Sequence, residues 1–232
     1  TLPSLRKIDL HRINISIPPL STQHQIVAEL DTLNSIIDKK KEQLNELDNL
    51  AQATFYDMFG DPVENEKGWE KVPFNKVMTL KRGYDLPIQD RIDGNVPIMA
   101  SNGVLGYHNI HKVEGPGVVT GRSGTLGLVH YVQNDYWPLN TALYVQKMNG
   151  NNPIYLLYLL KTFDLKRFSR GAGVPTLNRN LVHAEKVIET PLPLQTQFAK
   201  KIKHIEQQKA LIQRSIDDVQ QLFDYTMDKY FN

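Results

Sequence analysis

The two ends of this 232-residue chain carry the same pattern, and a different, unrepeated segment separates them. The first matches share one offset: Pro3 with Pro175, Leu5 with Leu177 and His11 with His183. After a shift of two residues come Pro19 with Pro193, Leu20 with Leu194, Thr22 with Thr196 and Gln23 with Gln197. Solenoid repeats recur at short, regular periods. The wide spacing here predicts instead a structural frame around one working domain.

A long helix is predicted after the first copy. Ser21 or Thr22 is a suitable N-cap, and Gly60-Asp61-Pro62 is a strong stop signal. Apolar residues between them alternate in steps of three and four over about five heptads, the spacing with which one helix packs along another. They are Ile26, Leu30, Leu33, Ile37, Leu44, Leu47, Ala51 and Met58, with Lys40 and Thr54 where the pattern lapses.

A second helix with the same design is predicted after the second copy. Its apolar face is Phe198, Ile202, Ile205, Ile212, Ile216, Val219, Phe223, Met227 and Tyr230, interrupted by Lys209. Each stripe is narrow and flanked by charges, so the two helices are expected to pair with each other. One domain joins the end of the first to the start of the second, which favours an antiparallel coiled coil. The alternative is two helices folded separately onto a compact core.

The middle, residues 61–190, changes character. Its short apolar stretches between turn signals predict strands at 97–99, 117–120, 126–132 and 142–145. Asn152-Pro153 followed by an apolar run predicts a short buried helix. The expected fold class is α+β, a mixed, sheet-rich domain flanked by the two long helices.

Composition narrows the function classes. The absence of cysteine excludes disulfides and thiolate metal sites. No apolar run approaches the roughly 20 residues of a membrane span, and no signal peptide is visible. We therefore expect a cytoplasmic protein with no membrane partner. Residues 61–190 carry fifteen Lys or Arg and twelve acidic residues, an excess of the sign that an anionic partner requires.

Several loops of the middle segment combine basic, amide and aromatic side chains. The sharpest runs from Gly121 to Gly127, where glycines permit close approach and Arg122 offers a planar fork for phosphate or guanine. An ordinary hairpin turn with an incidental arginine is an equal alternative for this motif alone. Together the loops favour nucleic acid. The candidate contact residues are Lys81, Arg82, Tyr84, Ser101, Asn102, Arg122, Ser123, Thr125, Asn140, Arg167, Arg170 and Asn178.

The sequence supports a catalytic site less well than it supports nucleic-acid binding. Asn152-Pro153-Ile154-Tyr155 is similar to the Asn-Pro-Pro-Tyr site of adenine methyltransferases, but its third residue differs and no glycine-rich strand–turn–helix precedes it. A helix start is the better interpretation. The histidines at 108, 111, 130 and 183 lack metal-ligand spacing. We expect a protein that is not an enzyme and needs no cofactor or metal. A stand-alone adenine methyltransferase and a protein-binding assembly scaffold remain the alternatives.

The residues also carry a family resemblance. Residues 17–23 and 191–197 each pair a Pro-Leu with a Gln three residues later, directly before a long helix. Gly68-Trp69-Glu70-Lys71-Val72-Pro73 resembles the opening of a target recognition domain, and residues 121–127 with Asn140-Thr141 resemble its internal landmarks. The chain thus resembles the specificity subunit of type I restriction–modification systems, over essentially its whole length.

That resemblance implies an organisation and partners. Residues 1–19 would be the tail of a preceding recognition domain, 20–60 and 191–232 spacer helices, and 61–190 a complete recognition domain. Each recognition domain reads half of a split double-stranded DNA site, and the helices set the gap. The family's partners are modification (methyltransferase) and restriction subunits, which hold the catalysis. The chain would be a C-terminal half of such a subunit, and two halves could pair as a homodimer.

Overall fold

The computed structural model describes residues 17–170 and 175–231. They form two compact units, one comprising residues up to Leu47 with those from Gln208 onward, and the other Asp48–Gln207. Long helices and a sheet-rich domain confirm the expected α+β class. The predicted domain limits at residues 19, 60 and 190 remain predictions. Most of the segment 1–19 lies outside the described residues.

The helices are α1 (Leu20–Phe59), α2 (Phe74–Val77), α3 (Pro153–Thr162), α4 (Arg179–His183) and α5 (Leu192–Phe231). The strands are β1 (Lys71–Pro73), β2 (Thr79–Arg82), β3 (Val96–Ala100), β4 (Gly103–His108), β5 (Gly117–Gly121), β6 (Val129–Val132), β7 (Trp137–Pro138), β8 (Ala142–Lys147), β9 (Ser169–Arg170), β10 (Thr176–Leu177) and β11 (Lys186–Ile188). Short 3-10 turns cover Ile88–Asp90 and Leu165–Phe168.

The helical unit pairs the first part of α1 with the last part of α5. Its most deeply buried residues are Ile26, Leu33, Ile37, Ile216 and Thr226. The hydroxyl of Tyr230 donates a hydrogen bond to Glu29 at 3.2 Å. Because Glu29 lies near the start of α1 and Tyr230 near the end of α5, the two helices run antiparallel, as expected.

One position of the predicted apolar face is wrong. Met227 is exposed, and Thr226 is buried in its place. The reason is the helical period. After Phe223 the alternation of steps calls for a step of three, which falls on residue 226, and the next step of four reaches Tyr230. The helix geometry selects the position even though its occupant is polar.

In the domain unit, the end of α1 and the start of α5 enclose an aromatic cluster with α3. The cluster is Phe55, Phe59, Tyr155, Tyr158 and Phe198, all buried. The Phe198 ring lies 5.6 Å from Phe55, 5.4 Å from Phe59 and 5.1 Å from Tyr158 between centroids, edge-on in each case. Burial raises the pKa of both cluster tyrosines to about 12. The cluster therefore fixes both long helices against one buried helix of the domain.

The domain unit also contains two larger sheets, besides the two-stranded pairs β1-β11 and β9-β10. One has the order β2-β8-β5-β6 and is antiparallel, and the other has the order β4-β3-β7. The predicted strands are confirmed, except that the third begins at Val129 rather than Leu126. Gly127 adopts a φ of +87°, which turns the chain there and excludes a strand.

Gln195 fastens the start of α5 to the start of α3. It is fully buried. Its side-chain oxygen accepts from the amide of Asn152 at 2.8 Å, and its nitrogen donates to the side chain of Asn151 at 2.8 Å and the carbonyl of Thr190 at 2.9 Å. The repeated Pro-Leu motif thus has a structural role in its second copy, through a residue that the sequence comparison did not single out.

His183 joins the end of α4 to β2 by a hydrogen bond between residues that are distant in sequence. Its Nε2 accepts from the amide of Leu80 at 3.0 Å, and burial, with a smaller effect from Arg179, lowers the pKa of its imidazole below 6.5. Because the native state favours the neutral ring, its contribution to stability is present above pH 6.5. That contribution is lost as the pH falls through the lowered pKa. Its sequence counterpart His11 lies outside the described residues.

We expect the free energy of unfolding to fall more steeply between pH 7.5 and pH 5 in the wild type than in a His183→Ala variant. The variant has no imidazole to protonate, so this part of the pH dependence disappears with it. Urea titrations at both pH values measure the difference. Equal pH dependence of the two proteins would contradict the role assigned to His183.

Candidate nucleic-acid interface

Four arginines from separate segments of the chain line one surface hollow of about 420 Å³. They are Arg82 at the end of β2, Arg122 directly after β5, Arg170 in β9 and Arg179 at the start of α4. We call this site the arginine hollow. Asn178 also lines it, and none of the described residues that line it is acidic. Arginine side chains around one open space supply the charge-assisted hydrogen-bond donors that bind phosphate.

Backbone hydrogen bonds hold Arg122 in place. Its amide donates to the carbonyl of Thr141 at 2.8 Å, and its carbonyl accepts from the amide of Leu177 at 2.7 Å. One guanidinium nitrogen donates to the carbonyl of Asn140 at 3.1 Å. Within residues 17–170 and 175–231 the other N–H groups of this fork have no partner, so Arg122 is oriented and keeps donors for a ligand.

The other arginines are held less firmly. Arg82 pairs with Asp85 at 3.2 Å, and both side chains are largely exposed. Arg170 and Arg179 have no acidic partner among the described residues. Unpaired surface cations in a shared hollow repel one another, and a bound anion relieves that repulsion. Arg170 precedes residues 171–174, the glycine-rich end of the predicted basic loop, which lie outside the described residues.

The loop from Gly121 to Gly127 carries Arg122 and two further candidates, Ser123 and Thr125. A Cβ on Gly121 would overlap the carbonyl oxygen of Thr125, so only glycine fits there. Gly124 and Gly127 both have positive φ. The loop also approaches Ser101, whose side-chain oxygen lies 3.8 Å from the position of a Cβ on Gly124. The glycines therefore serve a close backbone approach within a tight loop.

A second hollow, of about 450 Å³, is linked to the arginine hollow by side-chain contacts. Its lining includes Asp85, Ser101, Asn140 and Thr141, with apolar walls that include Leu105. We call it the Asp85–Asn140 hollow. The Asn140 side-chain amide donates to Asp85, which in turn pairs with Arg82. Arginines and amide-bearing groups thus form one connected polar surface.

Other sequence-predicted candidates have structural contacts. Lys81 lies over the ring of Tyr84 at 5.9 Å, and the Tyr84 hydroxyl hydrogen-bonds that of Tyr144 at 3.1 Å. Arg167 pairs with Glu185 at 3.3 Å and packs over Phe168. The Asn178 side chain caps α4 by accepting from the amide of Asn180 at 3.0 Å.

The remaining candidates lie at the surface. Asn102 and Thr125 are exposed in loops, and Ser123 forms a backbone bridge to Thr176. Sequence reasoning missed Arg179 and Asp85. Arg179 directly follows the candidate Asn178, and Asp85 follows the Lys81–Tyr84 motif. Extending each motif by one residue would have found them.

The residues of the methyltransferase alternative serve the helix start instead. The Asn152 side chain accepts from the amide of Ile154 at 2.9 Å, as an N-cap does. Tyr155 is fully buried, and its hydroxyl donates to the carbonyl of Ile188 at 3.4 Å. Both side chains are engaged inside the domain. Within residues 17–170 and 175–231 there is also no group of three His, Asp or Glu that could hold a metal ion.

Comparison with known families decides the relationship. The sequence profile described as Type I restriction modification DNA specificity domain matches residues 1–49 and 66–221, which is most of the chain. The chain belongs to this family. A comparison with curated protein sequences gave no match. Among the described residues, no helix is long and apolar enough to span a membrane.

Solved structures share the fold of this family member. The type I restriction-modification S subunit from M. genitalium aligns with 98% of the chain at 17% identity and a TM-score of 0.70. The HsdS subunit from Thermoanaerobacter tengcongensis aligns with 99% of the chain at 18% identity and a TM-score of 0.55. A third structure, described as the structural basis underlying complex assembly and conformational transition of the type I R-M system, aligns with 99% of the chain at 17% identity and a TM-score of 0.65. The chain spans 66%, 63% and 64% of these three structures' lengths.

Proposed function

We propose that the chain is a DNA sequence-specificity subunit, or half of one, in a type I restriction–modification complex. The observation that carries this proposal is the arginine hollow, which four separate elements build in a member of the specificity-domain family. The domain within residues 61–190 reads one half of a bipartite double-stranded DNA site. The arginines hold the phosphate backbone, and the neighbouring amide groups face the bases.

The paired helices set the distance between half-sites. An α-helix of 40 residues is about 60 Å long, and side-by-side pairing along a buried seam makes the pair stiff. Its exposed surface docks the modification subunits, which with the restriction subunit supply catalysis. The chain itself contributes recognition only, without a cofactor, and works in the cytoplasm, where the DNA is. Two copies can pair as a homodimer and then favour a symmetric site.

Selection from a pool of random DNA duplexes tests this function. The chain is presented with modification subunits, and the bound duplexes are sequenced after several rounds. We expect one short enriched sequence, or two at a fixed separation. Enrichment of no sequence would reject the DNA-reading function and favour the assembly scaffold. Incubating the chain alone with a labelled methyl donor and DNA gives the parallel test of the methyltransferase alternative, and we expect no label in the DNA.

A further inference from the structure

Asp85 fixes the orientation of the Asn140 side-chain amide. A carboxylate only accepts hydrogen bonds, so Asn140 must turn its nitrogen, not its oxygen, towards Asp85. Asp85 is itself held by Arg82, whose guanidinium nitrogen lies 3.2 Å and 3.4 Å from its two oxygens. The carbonyl of Asn140 accepts from Arg122 at 3.1 Å. Both ends of the Asn140 residue are therefore anchored to the arginine hollow.

Among the residues that the structure describes, no other group bonds the Asn140 side chain, so its amide oxygen and the second N–H of its amide nitrogen stay unused. They are an acceptor and a donor side by side, the pair that matches the N6 amino group and N7 of adenine in the major groove. An unanchored asparagine could rotate by half a turn and present the reverse pattern. The contact with Asp85 removes that freedom.

The surroundings of Asn140 fit a base better than a phosphate. The described lining of the Asp85–Asn140 hollow carries charges of both signs, the Asp85 carboxylate and the Arg91 guanidinium, together with the hydroxyls of Ser101 and Thr141. The apolar side chains of Leu105 and Leu139 lie beside these polar groups. Base edges offer hydrogen-bonding groups and methyl groups next to each other, whereas phosphates offer only acceptors. The arginine hollow differs, because its described lining has four arginines and no acidic residue.

We propose that the Asp85–Asn140 hollow is a base-reading subsite that recognises adenine through Asn140, with Asp85 as its positioning residue. The proposal rests on the DNA-reading function and deepens it. The two neighbouring hollows then have different roles. The arginine hollow provides affinity for any sequence, and the Asp85–Asn140 hollow provides discrimination at one base pair.

The test compares Asp85→Asn, Asn140→Ala and Asp90→Asn in the random-duplex selection, each with modification subunits, together with the wild type. Asp90 is an exposed acid in the 3-10 turn close to Asp85 in sequence, and it lines neither hollow. It therefore controls for the loss of one negative charge. The Asp85 side chain is 64% exposed, so its replacement should leave folding intact, which circular dichroism checks.

We expect the wild type and Asp90→Asn to select the same site, with adenine at one position. Both Asp85→Asn and Asn140→Ala should lose about 10-fold or more of the preference at that position and keep the others. A wild-type site without adenine, or unchanged preferences in both folded variants, would overturn the base-reading assignment while the DNA-reading function stands. If the wild type selects nothing, the DNA-reading function fails as well.

Discussion

Replacing both Arg170 and Arg179 with alanine is expected to lower DNA affinity by at least about 100-fold at low salt. Hydrogen bonds to charged groups contribute about 1.5–3 kcal/mol each, and both arginines line the arginine hollow without an acidic partner among the described residues. The loss should be similar for the selected duplex and for random duplexes, because phosphate contacts carry no sequence information. The dependence of log affinity on log salt should become shallower by about two.

Fluorescence anisotropy with labelled duplexes at several salt concentrations measures both quantities. The matched control is a Lys147→Ala, Lys186→Ala double variant. These two lysines are exposed strand residues of the same unit and line neither hollow. Their replacement removes the same total charge as replacement of the two arginines. Because neither lysine lines either hollow, the control should bind within a few-fold of the wild type. Equal losses in both double variants would mean that net charge, not the hollow, governs binding.

The sequence predicted the helices well because the buried positions recur at a regular spacing along each helix. A seam that recurs every three or four residues can be read without knowing the rest of the fold, and residues such as Ile26, Leu33 and Ile216 are buried where the period places them. The one wrong position, Met227, was predicted because it is apolar, although the alternation of steps of three and four falls on residue 226. The helix at Pro153 was equally readable, since Asn152 and Pro153 are strong local start signals.

The candidate site could be predicted only in part, because strand order brings it together. Arg82 ends β2 and Arg122 directly follows β5, two strands that β8 separates in the sheet, and Arg170 and Arg179 come from later in the chain. Basic residues in loops were visible, but which of them converge depends on pairings between distant segments. Arg167 shows the difference. In sequence it resembles Arg170, yet in the fold it pairs with Glu185.

Replacing Phe198 with alanine is expected to lower the free energy of unfolding by about 3–5 kcal/mol. The side chain is fully buried, and its ring meets three other rings edge-on. Truncation removes the buried area and leaves a cavity that the surrounding aromatic residues can fill only partly. Since domains are stable by only about 5–15 kcal/mol, this single change removes a large share of the total.

Phe231 provides the control, because it is the same residue type on the same helix and is 65% exposed. Its replacement with alanine should change the free energy of unfolding by no more than about 0.5 kcal/mol. Urea unfolding followed by far-ultraviolet circular dichroism and by tryptophan fluorescence gives the comparison. Trp69 and Trp137 both lie in the domain unit, so fluorescence reports that unit alone. Coincident shifts in both signals would show that the aromatic cluster couples helix formation to folding of the domain. A loss below about 1 kcal/mol would show that the cluster is not the anchor of the helices.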